Sequence, residues 1–286
     1  MSVDKWAQWL LVRRDGDSAS LRARVATDLA GFREGVLGRA DLQPDDVVLD
    51  VGCGTGLIGF GALERLGPRG RVVFSDVSDD LLDECRRTAG GDERCSFVPG
   101  AAEDLAGVAD CSVDVVTMRS VLIYSDRKAA AFAEFFRVLR PGGRLSLFEP
   151  INRFAKLRGA ALFGVRGTPV DDLLAKVLAA FRNSAEQVQR PMMEFDERDL
   201  LDWAVTAGFA AVELDYRAQV EVPAEPVDDW AALQQVAPNP LVPTYGEMIA
   251  LALTGAERER LDAYMSGRVV PARRTMAVAF LRALRP

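Results

Sequence analysis

From residue 47 onward the chain alternates two hydrophobic rhythms: short unbroken apolar runs, and stretches with apolar side chains at every third or fourth position. The first run, Val47-Val48-Leu49-Asp50-Val51, ends at glycine, which predicts a strand buried on both faces of a parallel sheet. Gly52, Gly54 and Gly56 break the run, and residues 57–66 then follow helical periodicity up to Gly67-Pro68. Residues 71–77 predict a second strand that closes on Asp76. Ser78 caps the next helix, Asp79 and Asp80 occupy its first turn, and Gly90-Gly91 ends it. Residues 95–98 and 114–118 predict strands three and four. A helix with Phe132, Phe135, Phe136 and Leu139 on one face follows Asp126 and stops at Pro141-Gly142-Gly143. Residues 144–149 predict strand five. Strands alternating with helices imply an open parallel α/β sheet.

Two later segments set the far edge of that sheet. Residues 212–222 alternate, with Val212, Leu214, Tyr216, Ala218, Val220 and Val222 on one face, as expected of an edge strand with one wet side. Residues 276–281 are apolar throughout and need cover on both faces. Placing this last strand antiparallel, between strand five and the edge strand, satisfies both patterns.

The remaining chain reads as helix. Near the start, Trp6, Trp9, Leu10 and Arg13 share a face, and a second stripe runs through Leu21, Val25, Leu29, Phe32 and Val36. Thr168 and Pro169 predict a helix start, with a stripe of Val170, Leu173, Leu174, Val177, Leu178 and Phe181. A proline-rich loop (Pro238, Pro240, Pro243) precedes two capping boxes, Thr244/Glu247 and Thr254/Glu257. The expected organisation is an N-terminal helical segment (1–44), an α/β core (45–150 with 193–222 and 273–286) and two helical insertions (151–192 and 223–272). The insertions and the N-terminal helices are expected to cap the substrate site.

Composition narrows the chemistry. With 49% apolar residues the 286-residue chain can build a large core, and disorder is not suggested. A net charge of −7 argues against non-specific nucleic-acid binding. No apolar run approaches the ~20 residues that span a bilayer, and the start lacks a signal-peptide pattern, so a soluble cytoplasmic protein is expected. Cys53, Cys85, Cys95 and Cys111 lack paired metal spacing and read as free thiols; no metal site is expected. The chain has no histidine. That excludes His-based acid–base catalysis, Ser–His and Cys–His nucleophile pairs and most zinc sites.

The glycine loop carries the candidate chemistry. Gly54-Thr55-Gly56-Leu57-Ile58-Gly59 fits the dinucleotide pattern G-x-G-x-x-G, which alone is a weak signal. In a dinucleotide fold the first glycine directly follows the strand. Here that glycine is Gly52, and the sixth residue of its frame is Leu57. Asp50 beside the loop would repel a pyrophosphate and attract a cationic ligand.

This segment, together with the strands and loops after it, resembles motif I of the class I S-adenosylmethionine (SAM)-dependent methyltransferases. The resemblance is specific over residues 45–150 and extends to 222. It implies a doubly wound, seven-stranded, mostly parallel Rossmann-like sheet. It also implies methyl transfer from SAM to an O, N or C atom, leaving S-adenosylhomocysteine (SAH). Asp50, Gly52, Cys53, Gly54 and Gly56 would form the cofactor loop, and Asp76, with Val77 beside it, would take the ribose diol. After strand three the family often reads Gly-Asp-Ala-x-x-Leu. Here Ala101 replaces the aspartate, leaving the backbone N–H of Ala102 and the carboxylates of Glu103 or Asp104 for the adenine. Arg119 would offer its backbone carbonyl to the SAM ammonium, and Tyr124 would face the acceptor. Glu149 reads equally as a general base or as a buried partner for an arginine. The Asn/Asp-Pro-Pro-Tyr motif of enzymes that methylate nucleobase amines is absent after strand four.

An acidic surface and a capped site favour a small-molecule acceptor, with O-methylation of a secondary metabolite the first choice by frequency, in a monomer or homodimer. Three alternatives stay open: a peptide- or protein-modifying methyltransferase, a SAM-binding protein of this fold without methyl transfer, and an NAD-dependent oxidoreductase.

Overall fold

The structure, a computed structural model, describes residues 3–184 and 186–286. Its strands are β1 (Val47–Val51), β2 (Arg71–Asp76), β3 (Cys95–Pro99), β4 (Val113–Arg119), β5 (Leu139–Pro150), β6 (Ala210–Val227) and β7 (Val270–Leu284). They form one sheet in the order β3-β2-β1-β4-β5-β7-β6. β1 to β5 are parallel, whereas β7 runs antiparallel to both β5 and β6, as the two late hydrophobic patterns predict.

Alternating side chains sort into two cores. Leu49 and Val51 of β1 join Phe132, Phe135 and Leu200 on one face. Val48 joins Val36, Ile58, Phe74 and Leu82 on the other. β7 repeats the division: Ala277, Ala279 and Leu281 face the first core, Val278 and Phe280 the second. The long Ala19–Ala40 helix crosses the second face, where Phe32 stacks on Phe148 with ring centroids 4.3 Å apart and Ser146 Oγ donates to the Val36 carbonyl (2.7 Å). Full burial of each such large side chain contributes ~1.5–3 kcal/mol.

Several boundaries differ from the pattern reading. The helix after the glycine loop is Leu57–Leu63, shorter than 57–66. Leu139, expected on a helix face, opens β5 instead; the register jumps from Val113↔Leu139 to Val115↔Arg144, so Pro141-Gly142-Gly143 bulges out of the strand. The alternation over 212–222 is also broken. The register shifts between Gln219 and Val222, Glu221 takes φ +53°, and Val220 is 49% exposed. The cause is position: the far half of β6 runs past the sheet, paired with β7 as a ribbon that leads into the second insertion.

The two insertions pack on each other around Leu162, Val170, Leu173, Trp230, Ile249 and Leu261. Their first long helix is Asp171–Ser184; just before it the Thr168 hydroxyl accepts the Val170 N–H (3.4 Å), as expected of a cap, and the Asp171 carboxylate reaches back to the N–H groups of Gly167 (2.7 Å) and Thr168 (3.0 Å). Both capping boxes, Thr244/Glu247 and Thr254/Glu257, form as the sequence predicts.

Candidate active site

A cavity of about 250 Å³ opens at the carboxyl ends of β1, β2 and β4. In open α/β sheets this edge, where strand order reverses, is where ligands bind. Its floor is the glycine loop. Gly52 and Gly54 adopt φ +62° and +56°, a region that strains residues bearing a Cβ. A Cβ on Gly52 would lie 2.3 Å from Val121 Cγ2, and one on Gly54 would lie 2.9 Å from Leu10 Cδ2. The loop is bare backbone pressed between two elements, and the helix led by Gly56 follows it. Cys53 is buried in the cavity wall. The neighbouring Cys85 thiol, then burial, push its own thiol far up, and both sulfurs approach the Gly54 carbonyl (3.8 and 3.3 Å).

Asp50 lies beneath the loop, fully buried. Its Oδ2 accepts the Gly59 N–H (2.8 Å) and its Oδ1 the Thr117 hydroxyl (3.2 Å), latching the Leu57–Leu63 helix to β1 and β4. Burial pushes its carboxyl up to about 7 despite these bonds. The sequence places this acid beside the loop; the structure shows that it also braces it.

Asp76 at the tip of β2 holds the loop from the other side. Oδ2 accepts the Gly54 N–H (2.9 Å) and Oδ1 the Ser78 N–H (3.0 Å). A carboxylate has about four lone-pair sites, and with the Val77 N–H also directed at it, capacity remains for a ligand hydroxyl. Burial raises its carboxyl above the ordinary value. Val77 beside it lines the cavity, as do Ala102, which is buried, and Glu103, which accepts the Ser125 hydroxyl (3.0 Å). These residues form the end nearest β2 and β3.

The opposite end is built at the tip of β4. Arg119 and Ser120 line it, and Ser120 adopts φ +57°, strain of the kind held at functional turns. The Arg119 guanidinium, much buried, reaches Ser120 Oγ (3.3 Å) and has Glu149 and Asp50 as its acidic neighbours. Glu149 is not on the cavity wall. Buried behind it, Glu149 accepts the N–H groups of Val121 (2.8 Å) and Leu122 (2.9 Å) on Oε1, while Oε2 has no partner. Burial pushes its carboxyl up to about 7. It anchors the Leu122–Tyr124 turn that presents Tyr124 to the cavity. Burial and Glu149 push the Tyr124 phenol well up, so it meets a ligand as a neutral hydroxyl.

The roof comes from the N-terminal segment, as a strap tied at both ends. Asp4 accepts the Ser78 hydroxyl (2.6 Å), and its own N–H donates to Asp80 (2.7 Å). At the other end Trp9 Nε1 donates to the Ala237 carbonyl (2.8 Å), the Ala237 N–H donates to the Arg13 carbonyl (2.8 Å), and Arg13 pairs with Glu247 (2.8 Å). Trp6, Trp9, Leu10 and Arg14 line the cavity, Trp6 edge-on to Tyr124 with centroids 5.0 Å apart.

Regular helical spacing puts Arg13 inward. Residues 9–13 instead form a π-turn, closed by the Arg14 N–H to Trp9 carbonyl bond (2.8 Å), and the extra residue turns Arg14 inward and Arg13 out. The paired tryptophans signal a buried face; nothing in the pattern signals the π-turn. The second insertion grips the strap from outside, and among the described residues neither insertion contributes to this cavity wall. The insertions bound a larger cavity of about 1140 Å³, whose wall includes Lys156, Phe163, Phe181, Met193 and Tyr245. Among the described residues no cluster of His, Cys, Asp or Glu is placed to hold a metal, and no helix is long and apolar enough to cross a membrane.

Residues 48–143 match the family model for a methyltransferase domain. The chain is 31% identical to nocamycin O-methyltransferase of Saccharothrix syringae over 73% of its own length and 86% of that protein. It is 33% identical to arsenite methyltransferase of Halobacterium salinarum, over 39% of its own length and only 29% of that longer protein. Among solved structures it is similar to phosphoethanolamine N-methyltransferase 2 of Haemonchus contortus in complex with S-adenosyl-L-methionine. The TM-score is 0.54, covering 89% of this chain and 52% of that one at 14% identity, a likeness of fold alone.

Proposed function

This chain belongs to the class I SAM-dependent methyltransferases, and from that premise we propose that it moves the methyl group of SAM to a hydroxyl oxygen of a small-molecule acceptor, a secondary metabolite by preference. The residues of the cavity suit the cofactor. Its floor is a glycine cradle that side chains would fill, Asp76 keeps lone pairs for a ribose diol, and carboxylates and arginines meet at the β4 end. In the roles we assign, Gly52, Cys53, Gly54 and Gly56 form the cradle and Asp50 supplies negative charge beneath it. Val77, Ala102 and Glu103 border the nucleoside, and the Arg119 carbonyl takes the ammonium.

When bound, SAM supplies a methyl group already activated on a sulfonium, so the protein's task is alignment. Holding the acceptor oxygen in line with the methyl carbon can supply ~7–11 kcal/mol of the barrier. Histidine is not needed for that. The strap covers the cavity with two indole rings, and Tyr124 offers a neutral hydroxyl to orient the acceptor. Glu149 positions that tyrosine through its turn.

The observation that carries the small-molecule assignment is the strapped roof. The cavity is roofed by Trp6, Trp9 and Leu10, and the strap is pinned by the second insertion, a geometry that suits a compact acceptor better than a polypeptide. The test is to incubate the protein with SAM and a panel of phenols, enols, carboxylic acids and amines, quantifying SAH and methylated product by mass spectrometry. Stoichiometric SAH with an O-methyl product is expected. Transfer only to peptides, or only to carbon or nitrogen, would overturn the assignment.

A further inference from the structure

Arg14 is a half-buried cation that, among the described residues, lacks a partner. Its Nε is shut off from solvent with no acceptor, and among the described residues its guanidinium makes no hydrogen bond or ion pair. Its nearest acid, Asp15, is engaged by Arg22 (3.0 Å). Its side chain lines the cavity close enough to Arg119 for the two positive charges to oppose one another. Arg119 has Asp50 and Glu149 beside it, whereas no such pair of acids serves Arg14. An unpaired charge is costly even when half-buried, and one turned into a cavity by a π-turn is a donor set suited to an anion.

The position selects the anion. On the roles assigned above, Asp76 and Ala102 mark the nucleoside end, and Arg14 lies with Arg119 at the β4 end, where the amino-acid tail of the cofactor would fall. That tail carries an ammonium, suited to Asp50 and backbone carbonyls, and a carboxylate, suited to the planar fork of a guanidinium. We propose that Arg14 binds the methionyl carboxylate of SAM, so that the strap recognises the intact cofactor and closes on it. This inference rests on the cavity being the SAM site. It adds a specificity-determining residue, and ties strap closure to cofactor identity. The strap is anchored at Asp4 and at Arg13, and an ion pair at Arg14 adds a third tie beside the Arg13 anchor.

Calorimetry with two probes tests this: SAH, and S-adenosyl-3-thiopropylamine, which is SAH lacking only the carboxylate. Each is titrated into the wild-type protein, Arg14→Gln and Arg14→Lys. Wild-type protein is expected to prefer SAH by about 10- to 100-fold, the scale of a charged hydrogen-bonded pair. Arg14→Gln should erase that preference while binding the amine within about threefold of wild type. Arg14→Lys, which keeps the charge and loses the fork, should restore part of it. Equal weakening of both probes would overturn the inference in favour of a merely structural residue. Unchanged SAH binding with a raised KM for the acceptor would overturn it too, assigning Arg14 to an acceptor anion. If neither probe binds wild-type protein, the cofactor assignment itself falls, and this inference with it.

Discussion

Replacing Asp50 with asparagine should make the protein more stable and a poorer binder of SAM. Asn is isosteric and can keep both bonds: its Oδ1 accepts the Gly59 N–H, and its Nδ2 donates to Thr117 Oγ1, whose hydroxyl turns to the Leu49 carbonyl 3.5 Å away. What changes is the charge. Burial raises the Asp50 carboxyl from 3.8 to about 7. An acid whose folded pKa lies above its unfolded value takes up protons on folding, so it costs nothing below about pH 4 and progressively more as pH rises to about 7. At ~1.4 kcal/mol per pH decade the cost approaches about 1.5 kcal/mol at pH 5 and about 4 kcal/mol at pH 8. Urea unfolding of wild type and Asp50→Asn at both pH values reads that difference directly. Calorimetry with SAM should show about 10- to 100-fold weaker binding for the variant, since a charged partner for the cationic tail is gone. A variant no more stable than wild type at pH 8 would refute the claim that the carboxylate is held against a desolvation cost. One that is stabilised but binds SAM normally would refute the electrostatic role of the acid.

Three further outcomes are expected. Glu149→Gln preserves the acceptor for the Val121 and Leu122 N–H groups, so kcat should fall less than about tenfold; a loss of ~10²–10⁴ would mark Glu149 as a general base instead. Asp76→Ala removes two loop hydrogen bonds and the ribose acceptor, so it should cost ~1–3 kcal/mol of stability and at least about tenfold in SAH affinity, and unchanged affinity would remove Asp76 from the site. Asp4→Ala frees one end of the strap, losing a helix cap worth ~1 kcal/mol and the bond to Ser78. SAH should then leave about fivefold faster in stopped-flow fluorescence of Trp6 and Trp9, and an unaltered off-rate would mean that the strap is no cover.

The strand set was legible because each strand is decided locally. A run such as Val47–Val51 can only be buried on both faces, and 276–281 needs two neighbours wherever it goes. The breaks were not legible, because they depend on partners distant in sequence. Leu139 joins β5 since Val113 pairs with it, and the bulge at Glu221 exists only in register with β7. The site divides the same way. The glycine loop and the acids at the tips of β1 and β2 stand out as residue types at strand ends. That Arg14 rather than Arg13 enters the cavity follows from one i→i+5 hydrogen bond, whose inner partner, Trp9, is fixed by the loop at Ala237.

The groups most out of balance in this fold surround one cavity. Asp50, Asp76 and Glu149 are held above their ordinary values by burial, and Arg14 is held without a partner. An apolar or singly charged ligand could relieve only one sign of that imbalance. In the proposed roles, a donor whose tail carries two positive groups and one negative group would relieve both: its cations would favour ionised Asp50, and its carboxylate would meet Arg14. The product has lost the sulfonium and keeps the other two, so it should satisfy Arg14 as well as the donor does while giving Asp50 less. On this proposal, discrimination between donor and product falls to the acid under the loop, and discrimination between intact and truncated cofactor to the arginine in the strap. That assignment separates two functions which the glycine cradle, contacting both ligands through the same bare backbone, cannot perform.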